Sequence, residues 1–338
     1  MRVPWPASVP PPRCRPSRRD LLAGALATLG VAGVPGRAFG QRPGLKLALP
    51  GRNANLLPVY LAAERTFREE GLQVDLLTFD GDPAVAQALA SRSVDVAIMT
   101  LSAVINMIGA GQEVRAFYNT VYWPDYEWFA RREITAWGQL RGKTVAVTAQ
   151  GGFTDLVTRH VLRRQGLTPG RDVHLVSGGG APARLAALRA GRVDAAILQA
   201  PFKWEAEAQG FSRLGSQASE VGEAWPTGFV AALRWLDDHP GPARAMLRAY
   251  VKAVRLARAD PDTAVQALMK TLRYERKYAE RAYDEIQQAR TEGGPLPAKV
   301  MPTFWEIAVA AGEVPAPWPE SRLFDRRFVD TLDEWAPR

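Results

Sequence analysis

Residues 173–198 read VHLVSGGGAPARLAALRAGRVDAAIL, and residues 74–99 read VDLLTFDGDPAVAQALASRSVDVAIM. The two stretches align without a gap at an offset of 99, and 11 of 26 positions are identical, including Gly81/Gly180, Pro83/Pro182, Val94/Val193 and Asp95/Asp194. A solenoid repeats every 20 to 50 residues or so, so an interval this long describes two similar lobes instead. Each copy predicts a strand, a Gly-Pro turn, an amphipathic helix and an apolar strand opened by Val-Asp. Two βαβ units in one chain predict two α/β lobes facing one another.

Working outward, residues 1–40 have the pattern of an export leader. Arg13, Arg15, Arg18 and Arg19 precede an apolar run of 14 residues, 21–34, and Ala38-Phe39-Gly40 places small residues where a signal peptidase cuts. As a helix that run spans about 21 Å, short of the ~30 Å hydrocarbon core. Ser17-Arg18-Arg19-Asp20-Leu21-Leu22 is similar to a twin-arginine signal, the alternative being a general secretory signal with two arginines. Cys14 is the only cysteine and lies in this leader, so the exported chain has no disulfide and no thiol nucleophile. The net charge of +8 misleads in the same way: residues 1–40 hold six arginines and one aspartate, net +5, and the remainder carries +3. With no continuous basic run, no nucleic-acid partner is expected.

Leu45–Leu49 predicts the strand that opens the first lobe, and residues 144–148, 99 positions on, the strand that opens the second. Residues 114–119 predict a further strand. Residues 227–234 predict a strand leading out of the second lobe, followed by helices over 242–258, 274–290 and 298–311. The expected divisions are 1–40 for the leader, 41–125 for lobe 1, 126–234 for lobe 2 and 235–338 for a helical return to lobe 1. Trp305, Trp318 and Trp335 are expected to pack that return onto the first lobe.

In open α/β sheets ligands bind outside the carboxyl ends of the strands. The repeat therefore nominates paired loops. Asn53, Asn55 and Leu57 follow the first lobe's opening strand, and Gln150, Gly152, Phe153 and Thr154 follow the second's. Thr100 and Ser102 follow one closing strand, and Gln199 follows the other. Glycines at a helix start leave N–H groups free for an anion. Tyr122 and Trp123 belong to an aromatic stretch that could wall the pocket, whereas Trp128 and Phe129 read as core. Gly178-Gly179-Gly180 does not fit a dinucleotide fingerprint, and with Gly81-Asp82-Pro83 it reads as a turn. Asp95 and Asp194 stand at the opposite strand ends and are expected to accept backbone hydrogen bonds, contributing to stability. Thr100 and Gln199 are expected to contribute to binding and not to stability. No metal, triad or cofactor motif occurs, so no cofactor is expected.

Residues 57–64 (LPVYLAAE), 67–72 (FREEGL), 140–147 (LRGKTVAV) and 188–197 (LRAGRVDAAI) resemble the NMT1/THI5-like, sulfonate- and taurine-type substrate-binding proteins. The resemblance implies a two-lobed periplasmic-binding-protein fold of type II. It places the ligand cleft between the lobes and a helical C-terminal tail on the first. It further implies a monomeric periplasmic component of an ABC importer that captures a small solute and delivers it to a membrane permease. The nominated loops hold one formal charge, Arg52, which favours a small organic anion or a polar heteroaromatic over a cation. The alternatives on this fold are a THI5-like pyrimidine-synthesising enzyme and a ligand-binding sensor. The enzyme's cysteine-rich motif is missing from this sequence.

Overall fold

The computed structural model describes residues 44–120, 123–222, 226–289 and 293–337. The export leader lies outside the described residues. The chain forms β1 (Leu45–Leu49), β2 (Val74–Thr78), β3 (Val96–Thr100) and β4 (Val114–Asn119). It continues through β5 (Glu127–Ala130), β6 (Lys143–Val147), β7 (Val173–Ser177), β8 (Ala195–Leu198), β9 (Ser212–Ser216) and β10 (Thr227–Ala232).

These strands build two five-stranded sheets on one plan, β2-β1-β3-β10-β4 and β7-β6-β8-β5-β9. In each, three parallel strands are joined by helical crossovers, and the fourth position holds an antiparallel strand. The sheets exchange that fourth strand. β5 enters the second sheet directly after the first is left, and β10 returns to the first from the second. The chain thus crosses between the lobes near residue 120 and near residue 226.

The exchange corrects the expected lobe 2 boundary at residue 234. β10 lies between β3 and β4 in the first sheet, and the second sheet's last strand ends at Ser216. Local pattern shows that 227–232 is a strand but not that its partner, β3, lies some 130 residues earlier. The strand also stops at Ala232, where Leu233–Asp238 turns helical. The opening strands correspond at an offset of 98, not 99, because Leu45 and Lys143 pair with the repeat-equivalent Val74 and Val173.

The central strands β3 and β8 are buried on both faces, which explains their unbroken apolar sequences. The tail helix Pro240–Ala259 buries Ala243, Met246, Leu247, Tyr250 and Val254 against the first lobe. Trp335 is buried there too, with Trp305 and Trp318 packed at its margin. The tail also covers the edge of β4: Ala116 N–H donates to Leu323 O at 2.9 Å and Asn119 N–H to Gly294 O at 2.7 Å. An edge strand left open invites pairing with another chain, and these bonds remove it. Helix Met301–Ala310 touches both lobes, with Phe304 and Ala308 in the first core and Ile307 in the second. In the second lobe Trp128 packs on Trp137 at 5.5 Å and donates its indole N–H to Thr158 Oγ1 at 2.9 Å.

Asp95 and Asp194 do the same job in the two lobes. Asp95 Oδ2 accepts from Lys46 N–H at 2.8 Å, and Asp194 Oδ2 accepts from Thr144 N–H at 2.9 Å. Each carboxylate ties its strand to the start of the neighbouring strand, away from the strands' carboxyl ends. A charge-assisted bond of this kind contributes about 1.5–3 kcal/mol, less where water can replace it. Asp194→Ala is expected to cost about 1–2 kcal/mol and Asp95→Ala about 1 kcal/mol. Calorimetric melting of the two variants checks this, and unchanged melting would remove the clamps from the account.

Candidate functional site

The carboxyl ends of both sheets face a cleft that encloses about 760 Å3 out to its mouth. From the first lobe it is lined by Asn53, Asn55 and Leu56 after β1, by Gly81, Asp82 and Pro83 after β2, and by Thr100 at the end of β3. The second lobe contributes Thr148, Ala149, Gly152, Phe153 and Thr154 after β6. The crossing segments add Thr120, Tyr126 and Thr227.

Six of the nominated residues are therefore brought together: Asn53, Asn55, Thr100, Gly152, Phe153 and Thr154. Four others are not lining residues. Leu57 is wholly buried in the first core, and Ser102 is buried one turn into its helix. Gln150 lies in an adjoining groove with Asp82 and Pro83, its Nε2 donating to Leu175 O at 3.3 Å. Gln199 is turned to a neighbouring guanidinium, Arg184, at 3.2 Å. Trp123 is not a lining residue either; its backbone exchanges two hydrogen bonds with the Asn55 amide at 2.8 and 3.0 Å. Tyr122 lies outside the described residues.

Sequence reasoning passed over Asp82, Tyr126 and Thr148. Asp82 is the important omission, because the expectation that Arg52 is the one formal charge of the ligand loops rested on the loops chosen. Its Oδ2 accepts from Thr100 Oγ1 at 2.6 Å. Its Oδ1 is buried and has no partner. Burial pushes the carboxyl up to about 6, with the Thr100 hydrogen bonds opposing, since a desolvated carboxylate is disfavoured in its charged form. The aligned repeat did hold a signal: where the first copy has Asp82 and Val85, the second has Ala181 and Arg184. Of the several charge differences between the copies, these are the two at buried positions: Asp82 lines the cleft and Arg184 lies behind its second-lobe loops.

Arg184 is wholly buried behind the second lobe's loops. Its Nε donates to Ile197 O at 2.8 Å and its Nη1 to Thr148 Oγ1 at 2.6 Å and to Gly179 O; Nη2 reaches Gln199 Oε1. All four partners are neutral. Burial brings the guanidinium down to about 10, which leaves it protonated at neutral pH. Because Thr148 Oγ1 accepts from Arg184, its own proton is free to point into the cleft. Helix Phe153–Arg164 begins at the same wall with Gly152 as its N-cap and no capping side chain. Positive charge and donors therefore collect on the second lobe.

Tyr126 packs on Phe153 at 5.3 Å, and burial pushes its phenol well above the ordinary tyrosine range. It remains neutral and available for hydrogen bonding. The lobes touch where their side chains are small. A Cβ on Gly81 would meet Thr148 Cγ2 at 3.5 Å, and one on Gly152 would meet Pro83 Cδ at 3.6 Å. Gly81 also has φ of +85°, a conformation costly for other residues.

Thr100 also has structural work, contrary to expectation: its hydroxyl caps helix Leu101–Gly109 by accepting from Ala103 N–H at 3.4 Å. With Asp82 also on that hydroxyl, and Gln199 holding Arg184, neither residue serves binding alone. Among the described residues no group of three His, Cys, Asp or Glu is placed to hold a metal ion.

Comparison with known proteins agrees with this architecture. A family model described as NMT1/THI5 like matches residues 53–264. The putative binding protein YtlA of Bacillus subtilis is 27% identical over 202 residues, covering 58% of this chain and 60% of YtlA. The chain therefore spans less than two thirds of that relative's length. Among solved structures, one from Bordetella bronchiseptica RB50 superposes with a TM-score of 0.74 at 22% identity, covering 87% of this chain and 98% of the other. The periplasmic aliphatic sulphonate binding protein SsuA of Escherichia coli gives a TM-score of 0.66 at 19% identity, covering 82% and 91%. At these identities the structural matches establish the periplasmic-binding-protein fold.

Proposed function

Since the chain belongs to the NMT1/THI5-like family, we propose that it is the exported solute-binding component of an ABC importer. In this reading it captures a small organic solute with an anionic group, sulfonate- or taurine-like, or a polar heteroaromatic, and presents it to a membrane permease. The observation that carries the reading is the cleft itself. It lies at the carboxyl ends of two sheets, takes residues from both lobes, and sits where the chain passes between them, near residue 120 and near residue 226. Lobes joined in this way can hinge, and a solute that touches both biases the closed arrangement.

The chemistry of the walls supports capture without reaction. Among the described lining residues there is no cysteine, histidine or lysine to act as nucleophile, and Asp82 is the one carboxyl. The donors of the second lobe suit an anionic group. Export through the leader at residues 1–40 supplies the compartment in which such a component works. The test is native mass spectrometry of gently purified exported chain, followed by incubation with the solute it carries. The solute is expected to be recovered unchanged. Turnover above the uncatalysed rate would replace the binding reading with an enzymatic one.

A further inference from the structure

Asp82 poses a problem that anion capture does not solve. An ionised carboxylate on the cleft wall repels an anion, and helix Asp82–Ala90 does not need it buried. An aspartate in a first helical turn normally meets the helix dipole from solvent. Here one oxygen is bonded to Thr100, while the other is buried and unpartnered, on a residue that lines the cleft. Asn53 Oδ1, also on the first-lobe wall, is buried without a partner as well. An asparagine can turn its amide to present either end, but a carboxylate can only accept. Two buried, unpartnered acceptors on residues of one wall are satisfied if the bound ligand brings a donor to them.

The opposite wall is the complement. Arg184 holds a full positive charge with no carboxylate partner, and because Thr148 Oγ1 accepts from it the threonine's own proton is left to donate. The two lobes share one plan, yet the first has Asp82 where the second has Ala181, and the second has Arg184 where the first has Val85. The cleft is polarised, with acceptors on the first lobe and donors on the second.

We propose that Asp82, with Asn53, is the specificity-determining pair for a protonated nitrogen, so that the solute is a small zwitterion with its ammonium or amidinium end on the first lobe and its anionic end on the second. This rests on the solute-binding reading and adds the substrate class. The groups facing Asp82 are Thr100 from β3 and, across the cleft, Thr148 and Tyr126. Tyr126 also feels Arg184. The phenol and the guanidinium hold their protonation through neutral pH. Asp125, which accepts from Asn55 Nδ2 at 3.3 Å and is raised by burial to about 7, titrates in the same range but is common to wild type and Asp82→Asn, so the difference between the two reports Asp82. A cationic head needs the ionised carboxylate. Affinity is therefore full above its pKa of about 6 and falls as pH drops through it.

The experiment is isothermal titration of the exported chain with matched pairs, taurine against ethanesulfonate and β-alanine against propionate, in wild type and Asp82→Asn. An amine-bearing member is expected to bind at least about tenfold tighter than its amine-free partner, with that preference lost in the variant. From about pH 7.5 to pH 5 the affinity of wild type relative to Asp82→Asn is expected to fall about tenfold. Because Asp82 is costlier ionised than neutral in the fold, Asp82→Asn is expected to melt no lower than wild type at neutral pH. A variant that melts much lower, with its preference intact, would make Asp82 a structural residue and overturn the proposal. Equal or tighter binding of the amine-free anions would also overturn it, leaving the importer reading in place. Failure of every probe, with no solute co-purifying, would overturn both.

Discussion

Arg184→Met is expected to destabilise the chain by about 3 kcal/mol and to weaken solute capture by more than tenfold. Removing a buried cation can be neutral or even stabilising when it relieves desolvation. At this position the relief is small, because four acceptors already satisfy the guanidinium. Methionine fills much of the stem's volume but leaves the carbonyls of Ile197 and Gly179 without that donor inside the lobe. Each orphaned group costs about 1–3 kcal/mol. The stem is closely enclosed, since a Cβ on Gly178 would lie 2.9 Å from Arg184 Cγ. The effect on binding follows from what the head group holds, namely the Thr148 hydroxyl, the Gly179 turn and the Gln199 side chain. Arg184→Lys, with a compact point charge in place of a planar fork, is expected to fall between the two. Urea unfolding and calorimetry decide it, and a variant as stable as wild type would show that the relieved desolvation outweighs the lost bonds.

Lys203→Met is expected to cost about 2–4 kcal/mol, at or just below the usual range for breaking a buried ion pair from one side. Lys203 is only 2% exposed. It sits on helix Phe202–Ala208 after β8 and pairs with Glu285 at 2.8 Å and Glu127 at 3.4 Å. Glu285 belongs to the tail helix Arg276–Ile286, so the pair ties the second lobe to the return. Beside it Trp204 stacks on Tyr278 at 5.6 Å, and Tyr274 donates its hydroxyl to Ala200 O at 2.6 Å. Glu127 keeps Arg213 at 2.5 Å after the substitution, which holds the loss below that of a fully isolated pair. Glu285 is left without its partner.

The same lysine restrains Asp125, whose carboxyl burial pushes up to about 7 against its pull. An acid raised in the fold contributes stability below its unfolded value near 4, and loses it as pH rises through the folded value. Without Lys203 that loss extends to higher pH, so the variant's deficit is expected to grow from about pH 6 to pH 8. A double-mutant cycle with Glu285→Gln isolates the pair. A deficit under about 1 kcal/mol, or one flat with pH, would make Lys203 a solvated surface charge.

Much of the architecture was legible in sequence because it is written in short range. The alternation and the Gly-Pro turns of 74–99 and 173–198 specify strand, turn and helix whatever surrounds them. An interval of 99 residues between two such units admits two lobes and little else. The clamps at Asp95 and Asp194 were readable for the same reason, since a carboxylate at a strand entrance finds a neighbouring strand's N–H locally. The loops after β1, β3 and β6 followed from the rule that α/β sheets bind at their carboxyl ends, and that rule placed Asn53, Asn55, Thr100, Gly152, Phe153 and Thr154 on the cleft wall.

What tertiary structure decided were matters of partner and rotation. Whether residues 227–232 complete the second sheet or return to the first depends on which edge is vacant, and no local propensity encodes that. Leu57 and Ser102 face the core because helix rotation is set by packing against the sheet. Asp82 in isolation is a turn residue before a proline, and Arg184 is one more arginine on a helix. Their meaning comes from desolvation. Folding removes water from both and leaves one oxygen of the carboxylate without a partner. It gives the guanidinium only neutral ones and sets the two charges on opposing lobes.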